Sequence, residues 1–210
     1  MTRPHDAAPA KPLRADALRN RARVLQVAED VFAERGTGVS TEEIARRAGV
    51  GVGTVFRHFP TKESLLEAVF LGQLTRLGEQ AAALAGSQEP GPAFFAFFTL
   101  VVDQGSVKNA FADALAAAGV NVQAVSSGVV GEFGGALMGL LTRAQQAGAV
   151  RADIGVTELK AVLLGASRAV EHVGDDAATR ARTIAILLDG LRPPATAQAT
   201  PQAATQQPGR

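Results

Sequence analysis

The 210-residue chain is predicted to be an all-α protein. Three observations carry that reading. Apolar residues make up 47% of the chain and recur at helical spacing, with no convincing strand alternation. Glycine and proline punctuate these periodic segments where helices start and stop. Both ends are aperiodic: residues 1–14 are rich in Ala and Pro and read as a flexible arm, and 193–210 are low-complexity and read as a disordered tail. About nine helices fit between them, in a head of residues 17–76 and a helical body of residues 77–192.

The first helix runs from about Ala17 to Arg35. Val24, Val27, Ala28, Val31 and Phe32 share one stripe, and Gly36 supplies the stop. Ser40 and Glu43 have the spacing of a capping box for a short helix from Thr41 to Ala48, which Gly49 ends. A third short helix covers Val52 to His58. Pro60 then breaks the chain, and Thr61 can cap a longer helix from Lys62 to about Leu84. Further helices fall at 92–104, 106–118, 122–148, 156–173 and 177–191, separated by Gly105, Gly119, Gly148-Ala149-Val150 and Gly174-Asp175-Asp176.

Composition narrows the function classes. The longest strongly apolar run, Pro90 to Val102, stops at Asp103 and is too short for a bilayer. The opening residues lack the apolar stretch of a secretory signal. Cysteine is absent, which excludes disulfides and thiolate chemistry and suits a cytoplasmic protein. The three histidines, His5, His58 and His172, have no spacing suited to a shared metal, and no cofactor is expected. The net charge of +1 divides into +4 on residues 1–62 and −3 on residues 63–210. A basic front on a slightly acidic body suits an anionic partner, although a solvated charged face accounts for so mild an asymmetry almost as well.

The segment Gly49-Val50-Gly51-Val52-Gly53 raises the possibility of a phosphate-cradling loop in a nucleotide enzyme. A dinucleotide loop needs Gly-x-Gly-x-x-Gly after a strand, but Thr54 holds the third required position and a helical pattern precedes Gly49. No Gly is followed by Lys, so the other phosphate-loop signature is missing too. A helix-turn-helix accounts for more residues. Ala45 lets two short helices meet steeply, Gly49 tolerates the turn, and Ile44, Ala48, Val50 and Val55 fasten both to the first helix. On the third helix, Thr54, Arg57 and His58 fall on one face with Gly51 at its leading end. Val52, Val55 and Phe59 fall on the other. The polar face suits the major groove, where Arg57 can donate to guanine O6 and N7 and Thr54 can meet a base edge or a thymine methyl.

The stretch "VLQVAEDVFAERG…STEEIARRAGVGVGTVFRHFPTKESLLEAVF", from about Arg21 to Phe70, strongly resembles the DNA-binding domain of TetR-type transcriptional regulators. The resemblance implies a three-helix head, joined by a fourth helix to an all-α body that binds a small effector and forms a two-fold dimer. It implies a repressor acting on a palindromic operator, and no enzyme. By position, Thr41 matches a phosphate contact, Thr54, Phe56, Arg57 and His58 match the recognition helix, and Lys62 matches a phosphate-holding lysine. Position 56 often carries a Tyr whose hydroxyl meets a phosphate; Phe56 cannot make that bond, which leaves it packing as core. His58 either faces DNA or packs beside Phe59. Arg46 and Arg47 either reach phosphate or pair with Glu42 or Glu43. Arg3, Lys11, Arg14, Arg19, Arg21 and Arg23 either contact DNA from the arm or belong to a basic tail with no fixed role.

In the body, Phe94 and Phe98 share helical stripes with Val101 and Val102. They form core, or line an effector pocket with Phe111, Phe133, Met138 and His172. Between Pro90 and Val150 the only charges are Asp103, Lys108, Asp113, Glu132 and Arg143, so a pocket there suits an apolar or weakly polar ligand. Glu132, Glu171 and His172 are candidate polar handles. Glycines 128, 131, 134, 135 and 139 mark close helix approach, room for a ligand or a break. Leu159, Val162, Leu163, Ala166 and Val170, with Leu187 and Leu188, are expected by family analogy at a four-helix dimer interface. The rival readings are a regulator without an effector, an activator, or a nucleotide enzyme built on Gly49–Gly53.

Overall fold

The computed structural model describes residues 10–121, 127–174 and 176–194. Among these residues there are nine helices and no strand: α1 (Ala10–Arg35), α2 (Thr41–Ala48), α3 (Val52–His58), α4 (Lys62–Ala85), α5 (Pro90–Asp103), α6 (Gly105–Ala117), α7 (Ser127–Gln146), α8 (Val156–Val173) and α9 (Ala177–Leu191). The fold is all-α, as the sequence predicts.

Local signals set most boundaries. Ser40 Oγ accepts the Glu43 N–H at 3.3 Å at the start of α2. The expected capping box is only half made, because arginines take the Glu43 carboxylate instead. Gly49 closes α2 at φ 65°, with its N–H on Arg46 O and the Val50 N–H on Ala45 O, a Schellman turn. Thr61 Oγ1 accepts the Ser64 N–H, and Ser64 Oγ accepts the Thr61 N–H, each at 3.1 Å, which caps α4. Asp176 caps α9 by accepting from the Ala178 and Thr179 amides.

The start of the first helix differs from expectation. Helix α1 begins at Ala10, so residues 10–14 of the expected arm are helical. Pro12 stands in its first turn, where the missing N–H has no partner to lose, and the Ala-rich run beyond it favours helix. Residues 1–9, the 122–126 portion of the expected 122–148 helix and the tail beyond 194 lie outside the described residues.

The chain divides into two compact units. The first takes residues up to Gly78 together with Gln104–Phe133. Its core joins Val24, Ala28, Val31 and Phe32 of α1 to Ile44, Ala45 and Ala48 of α2. Val55 and Phe59 complete it, with Leu65, Leu66, Val69, Phe70 and Leu74 of α4. Helix α6, expected in the body, belongs to this core through Phe111 and Leu115. The Phe111 ring stands edge-on to Phe32 with centroids 5.6 Å apart. An apolar stripe on α6 is legible in the sequence, but not whose core it fills.

The second unit takes Glu79–Asp103 and residues from Gly134 onward. Helix α5 buries Phe94, Phe97, Phe98, Val101 and Val102, and packs against α8, which in turn packs against α9. Gly91 is needed there, since a Cβ would lie 2.7 Å from that of Ala149. Arg180 pairs with Asp103 at 2.7 Å, and Arg192 lies over the Phe95 ring at 4.6 Å, tying α9 to α5.

Phe111→Ala removes a fully buried ring and is expected to cost about 3–5 kcal/mol in equilibrium urea unfolding. Gly91→Ala is expected to lower the midpoint as well, by forcing its neighbours apart.

Candidate nucleic-acid interface

Helix α3 has seven residues and no side-chain N-cap; Gly51 holds that position at φ −68°, ψ 145°. Too short to persist alone, it is held by what it packs against. Val55 is wholly buried and Phe59, which caps its C-terminus, is 3% exposed. Arg21 of α1 lies over the Phe59 ring at 5.1 Å. With that side sealed, the opposite side faces out. Arg57 is exposed, as is Gly53, one turn before it on the same face.

The outward face therefore differs in part from the expected Thr54, Arg57 and His58. Thr54 and His58 are half-buried at its edge, His58 with its ring beside Phe59 at 6.4 Å. Gly51 is exposed at the leading end. Val52, expected inside, is 39% exposed, because it stands in the first turn ahead of the packed stretch. Phe56, expected as core, is 41% exposed, since the buried side of so short a helix is filled by Val55 and Phe59 alone. Sequence reasoning passed over Gly53, whose position one turn before Arg57 was the available signal.

Arg57 has no ion-pair partner among the described residues, and neither has the half-buried Lys62. The other arginines of the turn are engaged. Glu43 Oε2 accepts from Arg46 Nε at 2.9 Å, and Oε1 from Arg46 Nη2 at 2.7 Å. Glu43 also receives Arg35 at 3.2 Å and Arg47 at 3.3 Å, while Arg47 reaches Glu34 at 2.8 Å. The Arg46 hydrogen bonds hold the Glu43 carboxyl below the usual carboxylate range. Glu43 raises Arg46 in return, and Glu34 raises Arg47. Thr41 is 6% exposed, so its side chain offers little surface.

Two family models match the chain. One, for bacterial regulatory proteins of the tetR family, covers residues 24–69. The other, for the C-terminal domain of SbtR-like transcriptional regulators, covers residues 89–193. The crystal structure of a TetR regulatory protein from Mycobacterium vanbaalenii is 42% identical, with 86% of this chain and 99% of that one covered at a TM-score of 0.67. The TetR regulator SCO0520 from Streptomyces coelicolor is 34% identical over 83% of this chain and 99% of its own, at a TM-score of 0.66. The HTH-type transcriptional repressor Rv3405c of Mycobacterium tuberculosis is 46% identical over 70 residues, 33% of this chain and 35% of that protein. The chain thus spans about a third of the length of the curated relatives it matches.

The chain belongs to the TetR family of transcriptional regulators.

As a TetR-family protein it is a DNA-binding regulator of transcription. Among the described residues no helix is long and apolar enough to cross a membrane. The six expected pocket residues fall in both units. Phe111 and Phe133 belong to the first unit, and Phe94, Phe98, Met138 and His172 to the second. Phe94, Phe98 and Phe111 are sealed core, Phe133 is half-buried, and Met138 and His172 are exposed, as are Glu132 and Glu171. A cavity of about 220 Å³ in the first unit is lined by Leu25 and Glu29 of α1 and Val69 and Arg76 of α4, none of them expected. Asn109, 2% exposed, is a buried polar residue that sequence reasoning missed, and its Nδ2 finds no partner among the described residues. Its signal was an amide directly before Ala110 and Phe111.

The expected dimer stripe also needs correction. Leu159, Leu163, Ala166 and Val170 are buried within the chain itself, on the helix that α5 covers. An amphipathic stripe does not say whether its partner is the same chain or another. Val162, Leu187 and Leu188 are half-buried, and the large apolar side chains left outside are Leu164 at 52% and Ile186 at 66%.

The Glu43 cluster predicts an acid dependence. A carboxyl whose pKa is lowered by folding stabilises the fold above its unfolded pKa of about 4.3, and that contribution disappears as pH falls through the lowered value. Glu43→Gln should therefore be less stable than wild type near neutrality, with the difference closing in acid. Urea midpoints from about pH 6 to about pH 3 check this, and parallel curves would refute it.

Proposed function

We propose that this chain is a homodimeric repressor that reads a palindromic operator with α3 and is released by a small, mostly apolar effector. The observation that carries the reading is the partnerless Arg57, standing on the one face of α3 that its buried side turns outward. Guanidinium and guanine form a bidentate pair in the major groove, and Thr54 and Phe56 flank it with a hydroxyl and an apolar ring. Gly51, at the leading end, and His58, at the edge, border the same contact. Lys62 in the first turn of α4 holds a phosphate. The start of α2 at the buried Thr41, and the free edge of the Arg46 guanidinium, add backbone contacts beside it. Operation on chromosomal DNA makes the protein cytoplasmic.

For the dimer, the outer faces of α8 and α9 support pairing through Leu164 and Ile186, with Val162, Leu187 and Leu188 at the rim. A two-fold pair presents two copies of α3 to two half-sites. For the effector, the mechanism is linkage: a ligand weakens DNA binding only by its differential affinity for the state whose heads do not fit the operator. The Asn109 Nδ2, buried and without a partner among the described residues, supports one hydrogen bond donated to an acceptor on such a ligand.

Footprinting on the DNA upstream of the chain's own gene tests the reading. Arg57→Ala is expected to abolish the sequence-specific footprint, a loss of about 1–3 kcal/mol at one base pair per half-site. An unchanged footprint with an intact circular dichroism spectrum would exclude Arg57 as a reader. Lys62→Ala should weaken binding to all sequences and reduce the salt slope by about 1. Leu164→Asp with Ile186→Asp should give monomers by light scattering and lose cooperative binding to the two half-sites; a persistent dimer would reject this interface.

A further inference from the structure

We infer that Gly53 is where the base edges of the duplex come closest to α3, and that its missing side chain helps decide which sequence the protein accepts. The inference rests on the proposed docking of α3 and goes beyond it, because it assigns the closest approach to a residue with no side chain at all.

Glycine is found where the backbone needs it, where packing needs it, or where something outside the chain needs the room. Backbone need is excluded at Gly53. The glycines of this chain that adopt the left-handed region are Gly36, Gly49, Gly119, Gly148 and Gly174, and Gly53 is an ordinary helical residue. Packing need is excluded as well. A Cβ built on Gly53 meets no atom within 4 Å, in contrast to Gly91. Local preference runs the other way, since glycine is less favourable than alanine inside a helix. Helix α3 has seven residues and no side-chain cap, so it has little local preference to spare.

The place of Gly53 identifies what the room is for. It stands one turn before Arg57, on the side away from Val55 and Phe59, with Phe56 and Thr54 to either side. These three side chains surround a bare strip of helix backbone. An arginine reaching guanine O6 and N7 brings the neighbouring base pair up against that strip. A Cβ there would push the helix outward, lengthening the Arg57 hydrogen bonds first. Phosphate contacts at the periphery of the site, such as that proposed for Lys62, would suffer less, because they tolerate small displacements.

The experiment uses full-length protein and a duplex selected by the wild type from a random-sequence pool, with a scrambled duplex of the same composition beside it. Gly53→Ala is expected to keep or raise the thermal midpoint, lose about tenfold or more in affinity for the selected duplex, and bind the scrambled duplex about as well as wild type. Gly135→Ala, at another exposed helical glycine whose Cβ would meet nothing, supplies the control and should leave both affinities unchanged. Three results would overturn the inference: undiminished affinity of Gly53→Ala for the selected duplex, an equal loss on both duplexes, or a lowered thermal midpoint that returns the glycine to the fold. A wild type that selects no sequence would instead defeat the regulator reading itself, so the two failures are distinguishable.

Discussion

The burial of Val55 and Phe59 is the constraint on which the interface depends. Helix α3 has seven residues, well short of the roughly 12–15 at which an isolated helix begins to hold its shape, and no side chain caps its start. It exists because two apolar residues on one side fill a core built by α1, α2 and α4. The same burial fixes which side faces out. Arg57 is exposed as a consequence of where Val55 goes, and the Schellman turn at Gly49 sets the angle at which the helix leaves α2. Arg21, over the ring of Phe59, covers that anchor from α1. The outward face proposed to read DNA is therefore a by-product of core packing, and a change in the core would redirect that face without touching it.

Charge in the head is organised by pairing more than by amount. The net +4 of residues 1–62 suggests a surface ready for phosphate. Yet Arg35, Arg46 and Arg47 all converge on Glu43, Arg47 also takes Glu34, Arg19 pairs with Asp16 and Arg76 with Glu29. Exposed ion pairs of this kind contribute little to stability. Their larger effect is to occupy donors. A head with most of its arginines engaged has few left to displace counterions, so non-specific attraction to DNA is restrained and base contacts carry more of the selectivity. Arg57 stands out against that background because it lacks what its neighbours have.

What the sequence made legible follows the range of the forces involved. Helices α2, α3, α8 and α9 fall on their expected residues because caps and stops are written within a few positions of each boundary. The start of α1 was less legible: Pro12 reads as a break in sequence but is harmless in a first turn. Placement among elements was harder still. The stripe Leu159, Leu163, Ala166 and Val170 has the periodicity of an interface, and α5 is what lies against that helix. Phe111 reads as body and packs on Phe32. On α3, helical periodicity found the buried side through Val55 and Phe59 but misjudged Val52 and Phe56. A seven-residue helix has only one turn of true contact, and its ends follow the neighbours and not the period.

The membership of α6 in the head's core bears on how a signal would reach DNA. Phe111 meets Phe32 edge-on, and Phe32 lies on the same helix as Val24 and Ala28, which share the core with Val55. Close-packed interiors do not absorb displacements smoothly; they pass them to the next contact or switch between discrete packings. Asn109 stands two residues before Phe111, in the same helix, with a buried Nδ2 that finds no partner among the described residues. An unsatisfied amide is an unfavourable feature that a ligand acceptor would relieve, so this turn of α6 is where binding energy would couple most directly to packing. In the proposed function the packing would offer a route, in which a change at Asn109 would displace Phe111 and with it α1, part of the floor on which α3 rests.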